Sequence, residues 1–171
     1  LHTAYRRQRQ MCIRDSICQN AIDLLRALGL DEPRVAVLAA VETVNAKMPS
    51  TLDAAALTVM AARGQITGGR VDGPLAFDNA INLDAAKTKG IVSPVAGEAD
   101  ILLVPDLEAG NMLAKQLIYF AGATAAGIVL GARVPIVLTS RSDPLSARIA
   151  SATLARLLVA RNQIPGTGAT I

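Results

Sequence analysis

Past residue 18 the chain has neither histidine nor cysteine; the full complement is His2, Cys12 and Cys18. This excludes Ser-His-Asp and Cys-His catalysis, zinc sites of the usual kind and structural disulfides in the body of the protein. Chemistry there falls to Asp, Glu, Arg, Lys, Ser, Thr, Asn, Tyr or backbone amides. A carboxylate-held Mg²⁺ remains chemically open, but no tight acidic cluster suggests one, so no metal is expected. Tryptophan is absent and aromatics are 2% of the residues, which leaves the body only Phe77, Tyr119 and Phe120 to stack on bases. No nucleic-acid partner is expected. No apolar run approaches the ~20 residues of a membrane-spanning helix, so no membrane partner is expected either. The dinucleotide G-x-G-x-x-G and P-loop signatures are missing. Sparse cysteine suits a reducing cytoplasm.

What is present is aliphatic. Of 171 residues 51% are hydrophobic, mostly Ala, Val, Leu and Ile, enough for one domain or slightly more. The net charge of +3 is concentrated at one end: residues 1–16 hold Arg6, Arg7, Arg9 and Arg14 against Asp15. Setting these aside from the 17 basic and 14 acidic residues leaves 13 of each sign. That leader (LHTAYRRQRQMCIRDS) has no helical or strand period and lacks a secretory-signal pattern. It reads as a non-native segment, and the native protein is expected to begin upstream.

Asp15 or Ser16 is a candidate cap for a first helix ending near Gly29. Residues 34–40 (RVAVLAA) read as a buried strand. Ser50, with Asp53 three positions on, resembles a capping box for the next helix. A short strand is expected at 70–72, broken by Gly73-Pro74. Short helical pieces follow at 75–81 and 83–89, the second capped by Asn82. Residues 101–104 (ILLV) form another buried strand, with a helix from about Asn111 to Phe120. Strands are expected at 125–130 and 135–138, then a helix from Pro144 to about Ala160, and a disordered tail at 161–171. This alternation predicts an α/β fold, a three-layer αβα sandwich.

In such folds chemistry gathers at the carboxyl ends of strands. Three polar loops fall there: 42–47, 106–111 and 140–143. In the last, Arg141 offers a fork suited to phosphate, Ser140 can donate to an oxyanion and Asp143 can accept a proton. The competing reading makes Asp143 or Ser142 only a helix cap and Arg141 a surface charge. In the second, Asp106 could hold a ligand, and Asn111 and Lys115 share a helical face; the alternative there is a turn, a cap and a solvated lysine.

Three stretches, DGPLAFDNA, SPVAGEADILLVPDLEAGNMLAKQL and GARVPIVLTSRSD, occur in the order and spacing of the phosphate acetyl/butyryl transferase family, which the chain resembles from about Ala21 to Ala160. The match looks closest to the branch fused behind a MaoC-like enoyl-CoA hydratase domain. The resemblance implies the reversible reaction of acyl-CoA with phosphate to give acyl phosphate and CoA, with no permanently bound cofactor. It implies an isocitrate/isopropylmalate dehydrogenase-like fold, here N-terminally truncated. Residues 17–131 would be the second domain and 132–160 the segment returning to the first. It also implies that Arg141 binds phosphate, Ser140 stabilises the oxyanion and an Asp takes the CoA thiol proton. The acetyltransferase pattern places that Asp six residues past the Arg, at Ala147; Asp143 is two past, as in the butyryl-like branch. An ordinary carboxyl near ~3.9 and a thiol near ~8.5 differ by about 4.6 units, roughly 6 kcal/mol, a gap that burial or a nearby arginine must narrow. Where acetyltransferases carry a second cleft arginine this chain has residues 116–120 (QLIYF), so Arg133 is the candidate substitute. Asp106, Asn111 and Lys115 complete the expected substrate-binding set. A cytoplasmic homodimer is expected. Two other readings are a non-catalytic dimerisation or scaffold domain of a fused hydratase, and a dehydrogenase of the same fold.

Overall fold

The structure is a computed structural model that describes residues 2–162, with side chains described over 13–161. The expected tail at 161–171 lies outside the described residues from 163 onward. The elements in chain order are α1 (His2–Ala27), β1 (Arg34–Leu38), α2 (Pro49–Ala62), β2 (Arg70–Leu75), α3 (Phe77–Ile81) and α4 (Leu83–Thr88). They continue with β3 (Ile101–Leu103), α5 (Leu107–Tyr119), β4 (Ile128–Val129), β5 (Ile136–Val137) and α6 (Leu145–Asn162).

The centre is a parallel sheet of order β2-β1-β3, with Val35 opposite both Val71 and Ile101. Because side chains alternate along a strand, β1 feeds two cores. Val35 and Val37 join Cys18, Ile22, Ala54 and Leu57 from α1 and α2. Ala36 and Leu38 join Leu75, Ala80, Ala86 and Val95, from the β2 end, α3, α4 and the loop before β3. A strand buried on both faces needs an unbroken apolar run, and RVAVL supplies it. At the sheet's amino end the Asp100 carboxylate accepts from the Arg34 backbone N–H (2.9 Å) and its Nε (3.0 Å), with Glu98 pairing to the same guanidinium.

Several expectations are corrected. Helix α1 starts at His2, not at Asp15 or Ser16. Arg14, inside the expected leader, is buried: its guanidinium donates to Asp53 Oδ2 at 3.0 Å and to the Val104 carbonyl at 3.5 Å. Packing therefore reaches back past Ser16. Helix α2 has Met48 as N-cap and Pro49 in its first turn rather than a Ser50 capping box. The fully buried Thr51 fastens this turn by donating to the Met48 carbonyl at 2.8 Å. Asp53, freed from the capping role, meets Arg14. Strand β2 continues through Gly73-Pro74 to Leu75, with a register irregularity opposite residues 36–38. The last two strands form a separate antiparallel pair, β4-β5, and are not part of the parallel sheet.

Gly73 is required by contact. A Cβ there would lie 2.6 Å from the Val37 carbonyl oxygen and 3.3 Å from the Ala54 Cβ. Gly73→Ala is expected to lower stability by about 1–3 kcal/mol through overpacking, read as a shifted urea midpoint at unchanged slope.

Candidate functional site

At the carboxyl ends of β1 and β3 lies a cleft of 510 Å³, walled by Ala39, Ala40, Phe77, Val104, Leu113 and Gln116, among others. Its lining is almost wholly apolar. Helix α5 forms one side, and it begins at Leu107 because Asp106 caps it: Asp106 Oδ1 accepts from the Ala109 N–H at 2.8 Å. The helix thus starts four residues earlier than expected, and Asp106 spends one carboxylate oxygen on the cap. Asn111 and Lys115 share one face of α5, as expected. At 100° per residue this face points away from the one carrying Ala109, Leu113 and Gln116, which lines the cleft. Lys115 Nζ sits 5.9 Å from the centre of the Tyr119 ring.

The loop between β5 and α6 is a closed turn. Asp143 Oδ2 accepts from the Ser140 N–H at 2.6 Å, and the Asp143 N–H donates back to the Ser140 carbonyl at 3.2 Å. The Ser140 and Ser142 hydroxyls are 3.2 Å apart. Arg148, from the first turns of α6, donates to the backbone carbonyls of Asp143 (3.3 Å) and Arg141 (3.5 Å). These bonds fix the backbone on either side of Arg141 and leave its side chain exposed, with no ion-pair partner among the described residues. Arg133 is exposed as well. Ala147, six residues past Arg141, is buried. Asp143 is therefore the carboxylate next to Ser140 and Arg141. The structure brings Ser140, Arg141 and Asp143 together, and it places Asp106, Asn111 and Lys115 on a different element.

A second polar cluster was not anticipated. Lys89 Nζ lies 3.0 Å from Asp78 Oδ2 and 3.3 Å from Glu42 Oε2. Asn79, fully buried, donates its Nδ2 to the same Glu42 oxygen at 3.3 Å. The hydrogen bond from Lys89 holds the Asp78 carboxyl below the usual range, and the bond to Asp78 raises the Lys89 ammonium in turn. The stabilisation linked to Asp78 is present above its unfolded pKa of ~3.9 and fades as pH falls through its lower folded value. That linked to Lys89 is present below ~10.4 and fades as pH rises through its higher folded value. The pair is fully charged at neutral pH. Glu42 lay in a polar loop legible in the sequence; its partners, 37 and 47 positions away, were not.

Cys18 is a free thiol in the core between α1 and the sheet. Burial raises its thiol to about 11, so it is not a thiolate at neutral pH. Among the described residues no group of acidic, His and Cys side chains could hold a metal ion. No described helix is long and apolar enough to cross a membrane.

Comparison with known proteins gives this geometry a lineage. Residues 14–155 match the family described as "Phosphate acetyl/butaryl transferase". The chain is 67% identical over 147 residues to the phosphate acetyltransferase of Rhizobium meliloti, covering 86% of this chain and 46% of that one. It is 48% identical over 144 residues to the phosphate butyryltransferase of Clostridium beijerinckii, covering 84% and 48%. Its fold superposes on the crystal structure of a branched-chain phosphotransacylase from Enterococcus faecalis V583 with a TM-score of 0.79 at 37% identity, covering 87% of this chain and 53% of that one. The chain spans less than half the length of the curated relatives it matches. The family match covers most of the chain, and the chain belongs to the phosphate acetyl/butyryl transferase family.

Proposed function

We propose that this chain is the part of a phosphate acyltransferase that carries the phosphate anchor, serving the reaction of acyl-CoA with phosphate to give acyl phosphate and CoA. The observation that carries this is the Ser140-Arg141 turn. Its backbone is pinned by Asp143 and Arg148, and it presents a free guanidinium just ahead of helix α6. A guanidinium fork matches phosphate oxygens. In the direction from acyl phosphate, the CoA sulfur attacks the carbonyl carbon, the thiol proton passes to a base and phosphate leaves. Ser140 Oγ is the donor for the oxyanion. Asp143 is the base, because its second oxygen has no hydrogen bond among the described residues. Arg141 beside the sulfur favours the thiolate, which narrows the mismatch between carboxyl and thiol.

The finer architecture is part of the same reading: an isocitrate dehydrogenase-like arrangement of two three-layer domains, with residues 17–131 in one and 132–160 returning to the other. It is supported by the exposed apolar side chains of β5 and α6, including Ile136, Leu145, Ile149 and Leu157, which a neighbouring layer would cover. A cytoplasmic homodimer with no bound metal accompanies it, CoA and phosphate being the substrates.

The test is CoA release from acetyl-CoA and butyryl-CoA, with and without phosphate. The 171-residue chain alone is expected to show no phosphate-dependent release. Joined to the part of the R. meliloti relative that it does not match, it is expected to turn over at a rate unchanged by EDTA. A joined protein without turnover overturns the reading. Activity lost to EDTA and restored by Mg²⁺ transfers support to a dehydrogenase-like site.

A further inference from the structure

The cleft at the end of β1 and β3 has two walls that belong to separate parts of the chain: Ala39 and Ala40 from the loop after β1, and Phe77 from the first turn of α3. The loop is tied at its root by the Ala39 N–H, which donates to the Leu75 carbonyl at 2.9 Å. Three residues further out, Glu42 carries the next tie. One of its oxygens accepts both from Lys89 Nζ on the far side of α4 and from Nδ2 of Asn79, two residues past Phe77. Lys89 then closes the ring by pairing with Asp78, the residue next to Phe77.

The buried amide shows how firmly this ring is built. Asn79 has no exposed surface, and its Oδ1 has no hydrogen-bond partner among the described residues. Turning the amide over would set that oxygen against the Glu42 carboxylate, so the orientation is fixed by Glu42. The Asn79 backbone carbonyl is also engaged, accepting from the Gly97 N–H at 2.8 Å. Asn79 is thereby anchored to the body while its side chain reaches the loop.

We infer that Glu42 is a positioning residue for substrate binding: through Asn79, Lys89 and Asp78 it locks the β1 loop to α3, and so sets the separation of the Ala39-Ala40 and Phe77 walls. The ligand so held is the apolar part of the acyl-CoA, which suits a lining with Gln116 as its polar member. This rests on the acyltransferase reading for the identity of the ligand, but the coupling of the two walls does not.

The experiment separates the two. Glu42→Gln, Lys89→Met and Lys89→Arg are compared by amide hydrogen exchange in the 171-residue chain, and by acyl-CoA kinetics in the joined protein. Weakening the charge-assisted bonds of the ring is expected to speed exchange about tenfold in both 39–48 and 77–81 for Glu42→Gln and Lys89→Met. Exchange in α2 and β3 is expected to stay unchanged. Lys89→Arg, which keeps the charge, is expected to restore protection in both segments. The KM for acyl-CoA is expected to rise about tenfold for the first two variants while kcat changes by less than about twofold, the signature of lost uniform binding. Faster exchange confined to the substituted residue's own segment, or spread evenly over the whole chain, overturns the coupling. Coupled exchange with an unchanged KM overturns the role in substrate binding. No turnover even in the unsubstituted joined protein, with coupled exchange intact, overturns the acyltransferase reading alone.

Discussion

Arg141→Ala is expected to reduce phosphate-dependent acyl transfer in the joined protein by more than a hundredfold, with no change in the thermal midpoint. An arginine–phosphate contact is charge-assisted and two-pronged, worth about 1.5–3 kcal/mol, and the alanine variant also loses the field that favours the CoA thiolate. Arg141→Lys keeps the charge and loses the fork, so a ten- to hundredfold loss is expected, on the scale of about 1.4 kcal/mol per decade. The loss should fall on the KM for phosphate. Stability is expected to hold because the side chain is exposed, and the Arg141 backbone carbonyl, not its guanidinium, is what bonds Arg148 among the described residues. Full activity in Arg141→Ala removes the anchor role. Activity lost together with folding makes Arg141 structural and favours a scaffold.

The second large effect concerns the other end of the chain. Asp53→Ala leaves the Arg14 guanidinium, with 10% side-chain exposure, with a long bond to the Val104 carbonyl as its one remaining hydrogen bond among the described residues. Removing one partner of a buried pair costs about 3–5 kcal/mol, and the partial exposure of Asp53 places this case near the lower figure. For a chain of this size that is a fall of roughly 9 °C in Tm. The double variant Arg14→Met/Asp53→Leu should recover most of it, because apolar replacement of both charges is often neutral. A fall of under about 1 °C for Asp53→Ala would mean that the Arg14 end of α1 detaches freely in solution. The experiment thus asks whether a segment of odd composition is structurally integral.

What the sequence disclosed follows the range of the forces involved. β1 was legible because an aliphatic run of that length needs burial on both faces, and Asn82 was legible as a cap because its side-chain Oδ1 accepts from the Asp84 and Ala85 N–H groups close by in the chain. Two helix starts lie earlier than their local pattern suggests: α5 begins at Leu107, capped by Asp106, rather than near Asn111, and α2 begins at Pro49, with Met48 and not Ser50 as its N-cap. The antiparallel pairing of β4 and β5 could not be read, since a short apolar strand does not name its partner. The site divides along the same line. Ser140, Arg141 and Asp143 lie within four residues and declared themselves as a loop entering a helix. Glu42, Asn79 and Lys89 carry equal chemical character but meet only through the fold. The opposed faces of α5 were arithmetic available in advance, but which face met the cleft was not.

The β4-β5 ribbon has a practical consequence for anyone who purifies this chain. Two strands with two described pairings have little stability of their own. Their outer backbone edges are unpaired among the described residues, and Ile136, Val137 and Leu138 stand beside them in solvent. An open edge flanked by aliphatic side chains is a template for further strands. On its own the chain should grow turbid as it is concentrated, and light scattering should rise with concentration at a temperature where the parallel sheet is still folded. Charged substitutions at Ile136 or Leu138 should delay that onset without moving the melting of the sheet.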